Sequence, residues 1–490
     1  MTFTESPFWI LTAAVFGLWL VFPRNYRASI ALLLTSSVIF YGYHKPVLLL
    51  LILAYCLVNW GAGLLTEHSS RPRLVLGIGV AFNLLVLGYW KYTPMLLATW
   101  ARMAVSFELP SAAAPAGDWV IPFGISFYAF TGIAYMVDVY RRVTPAEPSF
   151  FRYTLSAMFF PHLVAGPILR PSDFLEKLRP ATMPDRPEAP LEALHLLSRG
   201  FFRKMVLADR IALAIDPFFQ HVADASTAGV WSLPYVYLYA LQIYFDFAGY
   251  TDIARGLGLL FGFRWPENFD MPYLARSVQE FWRRWHMTLS LFLRDYLYLP
   301  LGGSRCGLLR TCCNLMLTML LGGLWHGASW SFMLWGGLHG CYLIINRLWS
   351  GWPFRAGLTA RTGIVGACCR WTAVLLTFHS VCLAWCFFRL TVLSESLACV
   401  RKWFVFDVDK LFIGGSADVS LWLMLGMYGL ALGIGRVVVR RLPALNSAAR
   451  DLAAPPLARG FQWGFCAALL ILAVLLSPGG EKPPFIYFQF

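Results

Sequence analysis

TCCNLMLTMLLGGLWHGASWSFMLWGGLHGCYLIIN, residues 311–346, runs for 36 positions without an Asp, Glu, Lys or Arg. A membrane-spanning helix needs about 20 mainly apolar residues. The run is therefore long enough for two passes, or for a helix broken inside the bilayer. His326 lies near its centre, 16 residues after Arg310 and 21 before Arg347. Gly322, Gly323 and Gly327 surround it, so backbone can approach closely and a helix can break there. An ionisable side chain at that depth is costly and marks a functional position. A histidine titrates near neutrality and is suited to taking a proton from a hydroxyl. The competing reading is a structural ring hydrogen-bonded between helices.

The same character extends outward. Of 490 residues, 58% are hydrophobic and 13% charged, with a mean hydropathy of +0.59. A soluble chain would be near 45–50% apolar and about 25% charged, so the composition excludes a string of soluble domains. Further uncharged runs fall at 6–23, 28–44, 46–66, 74–90, 119–137, 225–245, 371–388, 419–435 and 460–480. Less apolar segments at 92–107, 149–168 and 281–301 suit short or re-entrant helices. The expectation is an all-α polytopic membrane protein with about eleven transmembrane helices plus re-entrant and interfacial helices.

Forty basic against 26 acidic residues give a net charge of +14. The basic residues come in short groups between apolar runs, such as Arg24 and Arg27, Arg71 and Arg73, Arg141 and Arg142, Arg203 and Lys204, and Arg440 and Arg441. That spacing is the positive-inside signature of cytoplasmic loops. No stretch is long enough for a separate nucleic-acid-binding domain, so no nucleic-acid partner is expected. The opening MTFTESPFW has no basic group ahead of the first apolar run, which predicts a retained first helix with its N-terminus outside. Eleven cysteines, an odd number mostly inside apolar runs and without a C-x-x-C pair, suggest neither a disulfide framework nor a metal site.

The chain between about 120 and 345 mixes aromatics, Gly, Pro and intramembrane charge, whereas both ends read as lipid-facing scaffold. We expect a single membrane-embedded domain: scaffold helices over 1–118, a catalytic core over 119–346 and scaffold again over 347–490. His339 would point about 140° away from His326 on a continuous helix, which favours packing. His286, in WRRWHMTLS, sits in surroundings that suggest a membrane boundary; it is either a second chemical group or an interfacial residue. His162, in FFPHLVAGP, reads as structural within a re-entrant turn. Asp246 and Asp252 would diverge by about 120° on one helix, with Arg255, Arg283 or Arg284 as available partners. Asp295 could pair with Arg294. The stretch 188–210, carrying Arg199, Arg203, Lys204 and Arg210, reads as an amphipathic surface helix or a docking face for an anionic donor. No phosphate loop, H-E-x-x-H or G-x-S-x-G motif occurs.

Five long stretches carry a resemblance: IPFGISFYAF (121–130), FFPHLVAGPILRP (159–171), IYFDFAGYTDIARGLGLLFGFRWPENFDMPY (243–273), EFWRRWHMTLSLFLRDYLYLPLGG (280–303) and LMLTMLLGGLWHGASWSFMLWGGLHG (315–340). The ending PFIYFQF (484–490) belongs with them. Together they resemble the membrane-bound O-acyltransferases, and within these the bacterial alginate O-acetyltransferase branch. The resemblance implies a helical fold around a central tunnel or funnel. It implies His326 as the principal catalytic histidine and His286 as a second functional one. It implies no bound cofactor, with acetyl-CoA as the cytoplasmic thioester donor, and a multi-pass location in the bacterial inner membrane. It further implies acetyl transfer to an exopolysaccharide such as alginate or cellulose, directly or through a periplasmic acetyltransferase of a secretion complex. D-alanylation of a cell-wall polymer uses the same architecture. Movement of a donor without bond formation is the non-enzymatic alternative. Trp325, Trp330 and Trp335 are candidates for lining the passage.

Overall fold

Apolar runs in a bilayer become helices because a helix satisfies its backbone hydrogen bonds internally where no water is available. The computed structural model describes residues 1, 3–21, 25–107, 119, 121–163, 166–224, 227, 231–352, 362–404, 426, 456–477 and 485, and among these the regular structure is helical throughout. Among the described residues, four helical stretches are long and apolar enough to cross a membrane: Val47–His68, Pro72–Ser106, Leu308–His326 and Gly363–Arg389. Shorter apolar helices occupy Ser6–Val21, Tyr26–Gly42, Ile125–Tyr140 and Trp463–Leu475. The run expected at 225–245 begins instead at Leu233 and continues to Leu260 with Asp246, Asp252 and Arg255 inside it. The run expected at 419–435 (Gly426 apart), Arg24, Arg440, Arg441 and the PFIYFQF ending apart from Phe485 lie outside the described residues.

The chain divides into two units, 1–193 with 254–265, and 194–253 with 266–490. The first contains α1 (Ser6–Val21), α2 (Tyr26–Gly42), α3 (Val47–His68), α4 (Pro72–Leu87), α5 (Thr93–Ser106), α6 (Ile125–Tyr140), α7 (Phe150–Met158) and α8 (Pro171–Lys177). A buried polar layer joins α3, α4 and α6. Asn83 Nδ2 donates to Asn59 Oδ1 at 2.7 Å, and Asn59 Nδ2 to Tyr55 O at 3.0 Å. Gly132 of α6 makes room for both amides; a Cβ there would stand 2.5 Å from Asn59 Oδ1 and 2.7 Å from Asn83 Oδ1. Trp60 Nε1 donates to Glu147 O, and the Tyr135 hydroxyl accepts from Glu147 N, tying the loop after α6 to the same layer. His162 lies in the turn after α7, buried among Phe159, Phe174 and Trp265 with ring centroids 5.4–6.0 Å away. That is the structural role expected for it.

α9 (Pro190–Phe201) leads through a π-helical segment, Phe202–Ala208, into α10 (Asp209–Gln220); α11 (Leu233–Leu260) follows. The second unit then holds α12 (Val278–Trp282), α13 (Met287–Leu293), α14 (Leu308–His326), α15 (Trp330–Ser350), α16 (Gly363–Arg389), α17 (Leu393–Arg401) and α18 (Pro456–Leu475). The 311–346 run breaks immediately after His326, as its glycines predicted. Gly327 leaves the helix in extended conformation, and Ser329 restarts it by accepting from Phe332 N. α14 and α15 pack backbone against backbone: a Cβ on Gly323 would strike Phe332 O, and one on Gly336 would strike Met319 O.

Burial corrects the reading of 188–210 as a surface helix or docking face for residues 203–208, all of which are buried, whereas α9 stays partly exposed. Arg203 and Lys204 are 8% and 2% exposed, and their charges turn inward onto α11. Arg199 and Arg203, one helical turn apart, both reach Asp252, at 2.7 and 2.6 Å. Lys204 Nζ stands 2.8 Å from both Asp209 and Asp246. The carboxylates of α11 thus take partners from this segment. Arg284 pairs with Glu280 at 2.7 Å, and Arg255 donates to Trp265 O. The cause is a close crossing in which Gly200 and Gly249 meet; a Cβ on either would be 2.8 Å from the other's carbonyl oxygen. Asp295 does pair with Arg294, at 2.6 Å.

Two substitutions test this packing. Gly132→Ala should lower the thermal midpoint of the detergent-solubilised protein, at a cost of about 1–3 kcal/mol for overpacking. Lys204→Met strips two buried carboxylates of their shared ammonium and should cost about 3–5 kcal/mol. Adding Asp246→Asn to it should recover part of that loss in the same melting measurement.

Candidate active site

His326 is the last residue of α14, so its ring projects where the backbone turns away. It is 5% exposed and enclosed by aromatic rings: Trp325 at 4.9 Å, Trp335 of α15 at 5.0 Å and Phe388 of α16 at 5.2 Å between centroids. All three contacts are edge-to-face, the geometry aromatic quadrupoles prefer. Trp325 and Trp335 therefore border this histidine, whereas Trp330 is 47% exposed at the start of α15.

His286 precedes α13 and is fully buried within the protein, although its neighbouring arginines are more accessible. Arg283 and Arg284 point to more accessible surroundings while the backbone turns the imidazole inward. The turn is made by His286 itself, with φ 42° and ψ 53°, a left-handed conformation uncommon outside glycine. The ring packs edge-on against Phe247 of α11 at 4.6 Å and lies 6.1 Å from Trp325. Its centroid is 6.4 Å from that of His326. The structure thus brings together the two histidines singled out from the sequence, 40 positions apart in the chain.

His339 is equally buried but occupied in packing. Its Nδ1 accepts from Trp282 Nε1 at 3.2 Å, and its ring is stacked on Phe281 and edge-on to Trp335. Trp335 thus separates it from the His326 side. Among the described residues no cluster of three or more His, Cys, Asp or Glu could hold a metal ion. Phe247, Asn268 and Phe388 were not singled out from the sequence. Apolar rings and a lone amide carry no spacing signal, although Phe247 and Asn268 both lie within the matched stretch 243–273.

The packing role of His339 has a measurable consequence. His339→Leu removes the acceptor for a buried indole N–H and should destabilise the protein by about 1–3 kcal/mol. Acyl transfer per folded molecule should stay within a fewfold of the parent, as assayed on the purified protein.

Comparison with known proteins shows the family. The model of the membrane-bound O-acyltransferase family matches residues 120–388, a range that contains all three histidines. The "Probable alginate O-acetylase AlgI" of Azotobacter vinelandii is 40% identical over 355 residues, covering 71% of this chain and 69% of that protein. The protein of the same name from Pseudomonas aeruginosa is 34% identical over 470 residues, 93% of this chain and 86% of its own length. The "Peptidoglycan O-acetyltransferase" of Helicobacter pylori is 34% identical over 403 residues, 75% and 72% of the two chains. With over half its length inside the family model and relatives of this similarity along most of the remainder, the chain belongs to the membrane-bound O-acyltransferases and is an O-acyltransferase integral to a membrane.

Proposed function

We propose that the enzyme moves an acetyl group from a cytoplasmic thioester, acetyl-CoA, across the bacterial inner membrane for O-acetylation of an exopolysaccharide such as alginate or cellulose. Transfer to the polymer is direct or passes through a periplasmic acetyltransferase of the secretion complex. The relatives named for alginate O-acetylation support the polymer class. About eleven spans surround a central tunnel in this reading, with the catalytic core over 119–346, and the tunnel admits the thioester from one side and the hydroxyl from the other.

The observation that carries the reading is the pairing of two buried imidazoles 6.4 Å apart inside an aromatic enclosure. A thioester is already activated, so the protein's task is to align donor and acceptor and to exclude competing water. His326 takes the proton of the attacking hydroxyl. The C–O bond forms at the acyl carbon, the C–S bond breaks, and the proton passes to the leaving thiolate. General-base assistance of this kind contributes about 10²–10⁴-fold. His286 lies on the flank of the same enclosure and shares in orienting the acceptor or moving its proton.

His326→Ala should lower transfer of labelled acetyl from acetyl-CoA by at least about 100-fold while leaving membrane insertion and melting behaviour intact. Polymer acetylation at the parental level in that variant would refute the enzymatic role of this residue. Donor uptake without covalent product would instead identify a transporter.

A further inference from the structure

The left-handed backbone of His286 needs an external brace, because a residue with a β-carbon does not hold that conformation unaided. The brace is Asn268. Its backbone oxygen accepts from Met287 N at 3.0 Å, immediately after the strained residue. Its side-chain Oδ1 accepts from both Thr288 N at 3.1 Å and Thr288 Oγ1 at 2.8 Å. The same Oδ1 stands 3.4 Å from His286 Nδ1. Asn268 is 1% exposed, so little water competes for these contacts.

The two Thr288 donors fix the amide orientation, placing the oxygen and not the nitrogen against the histidine. An amide oxygen only accepts. An imidazole facing it therefore carries its proton on Nδ1 and its lone pair on Nε2. Phe247 packs edge-to-face with the ring at 4.6 Å. Asparagine suits this task in a membrane interior because it supplies an acceptor without adding a buried charge.

We propose that Asn268 is the positioning residue for His286, holding its backbone turn, ring orientation and Nδ1–H tautomer so that Nε2 serves the acyl-transfer reaction. The proposal rests on the catalytic reading of the two histidines. It concerns an orienting contact, and Asn268 itself touches no reacting atom in it.

The test compares purified variants in acetyl transfer from acetyl-CoA to an acceptor hydroxyl, with rates taken per mole of folded protein. Asn268→Ala should lower kcat at least tenfold, towards the His286→Ala value, with KM for acetyl-CoA unchanged within twofold. The Asn268→Ala/His286→Ala pair should be no slower than His286→Ala alone. Asn268→Asp, which keeps an acceptor at Oδ1, should retain at least a tenth of parental kcat. A purely structural role would instead reduce the yield of folded protein and leave kcat per folded molecule alone. An Asn268→Ala kcat within twofold of the parent, or a double variant slowed by the product of the two single effects, overturns the proposal. If Asn268→Ala does not accumulate, Thr288→Val decides, since it deletes one donor to the same Oδ1. A fewfold drop in kcat supports the brace, and an unchanged kcat overturns it. Loss of activity in His326→Ala and His286→Ala with full activity in Asn268→Ala sinks the positioning role alone. Full activity in both histidine variants sinks the catalytic reading beneath it.

Discussion

Lys204 stands 2.8 Å from a carboxylate oxygen of both Asp209 and Asp246, and much of the second unit follows from the need to satisfy those charges away from water. An ion moved into a low-dielectric interior loses several kcal/mol of solvation unless partners replace the water. With Arg199 and Arg203 on Asp252, the cluster sets three cations against three carboxylates and is formally neutral. It fixes two things at once, the depth at which the π-helical segment crosses α11 and the rotation of α11 about its own axis. Asp246 and Asp252 diverge around that axis, so each must draw on a different cation, and one segment supplies both sets. An apolar contact of the same area would allow the helix to slide or turn, whereas paired charges have one register.

That register matters one residue further along α11. Asp246 is followed by Phe247, whose ring meets His286 edge-on at 4.6 Å. The paired charges therefore set the wall against which this histidine packs, and His286 in turn lies beside Trp325 and His326. From the other direction, the α14–α15 hairpin sets His326. Its glycines let the two backbones touch, and the break after His326 leaves the imidazole at the end of a helix and not midway along its lipid-facing side. Two independent constraints, one ionic and one steric, thus converge on the same enclosure.

What could be read from residues alone follows the range of the interaction involved. The break at His326 was legible because its causes, a histidine among glycines in an uncharged run, are adjacent in the chain. The packing reading of His339 came from its angle on a continuous helix, a premise that the break after His326 removes, and the tryptophan that donates to it was not legible. For Asp246 and Asp252 sequence proximity offered only nearby arginines. Two partners of Asp252 lie 53 and 49 residues earlier, brought in by a glycine-to-glycine crossing that no periodicity announces. The burial of His286 was not legible beside Arg283 and Arg284. A single left-handed residue reverses the direction of the side chain relative to those neighbours, and backbone dihedrals of that kind leave no trace in composition.

The choice of imidazole in such surroundings has its own logic. A carboxylate placed as a base in this enclosure would bring a standing charge and the solvation cost that goes with it. A neutral histidine brings none, and in the proposed reaction it becomes charged only while it holds the proton taken from the acceptor. Aromatic rings suit that transient state, since their π faces attract a cation without themselves ionising. In the proposed reaction, Trp325, Trp335 and Phe388 around His326 would do two jobs with the same atoms. They would keep competing water from an activated thioester, and they would soften the cost of the imidazolium. The ionic cluster on α11 and the aromatic enclosure are thus two answers to one problem. Charge that stands permanently is neutralised by paired ions, and charge that would exist only during the proposed reaction would be met by polarisable rings.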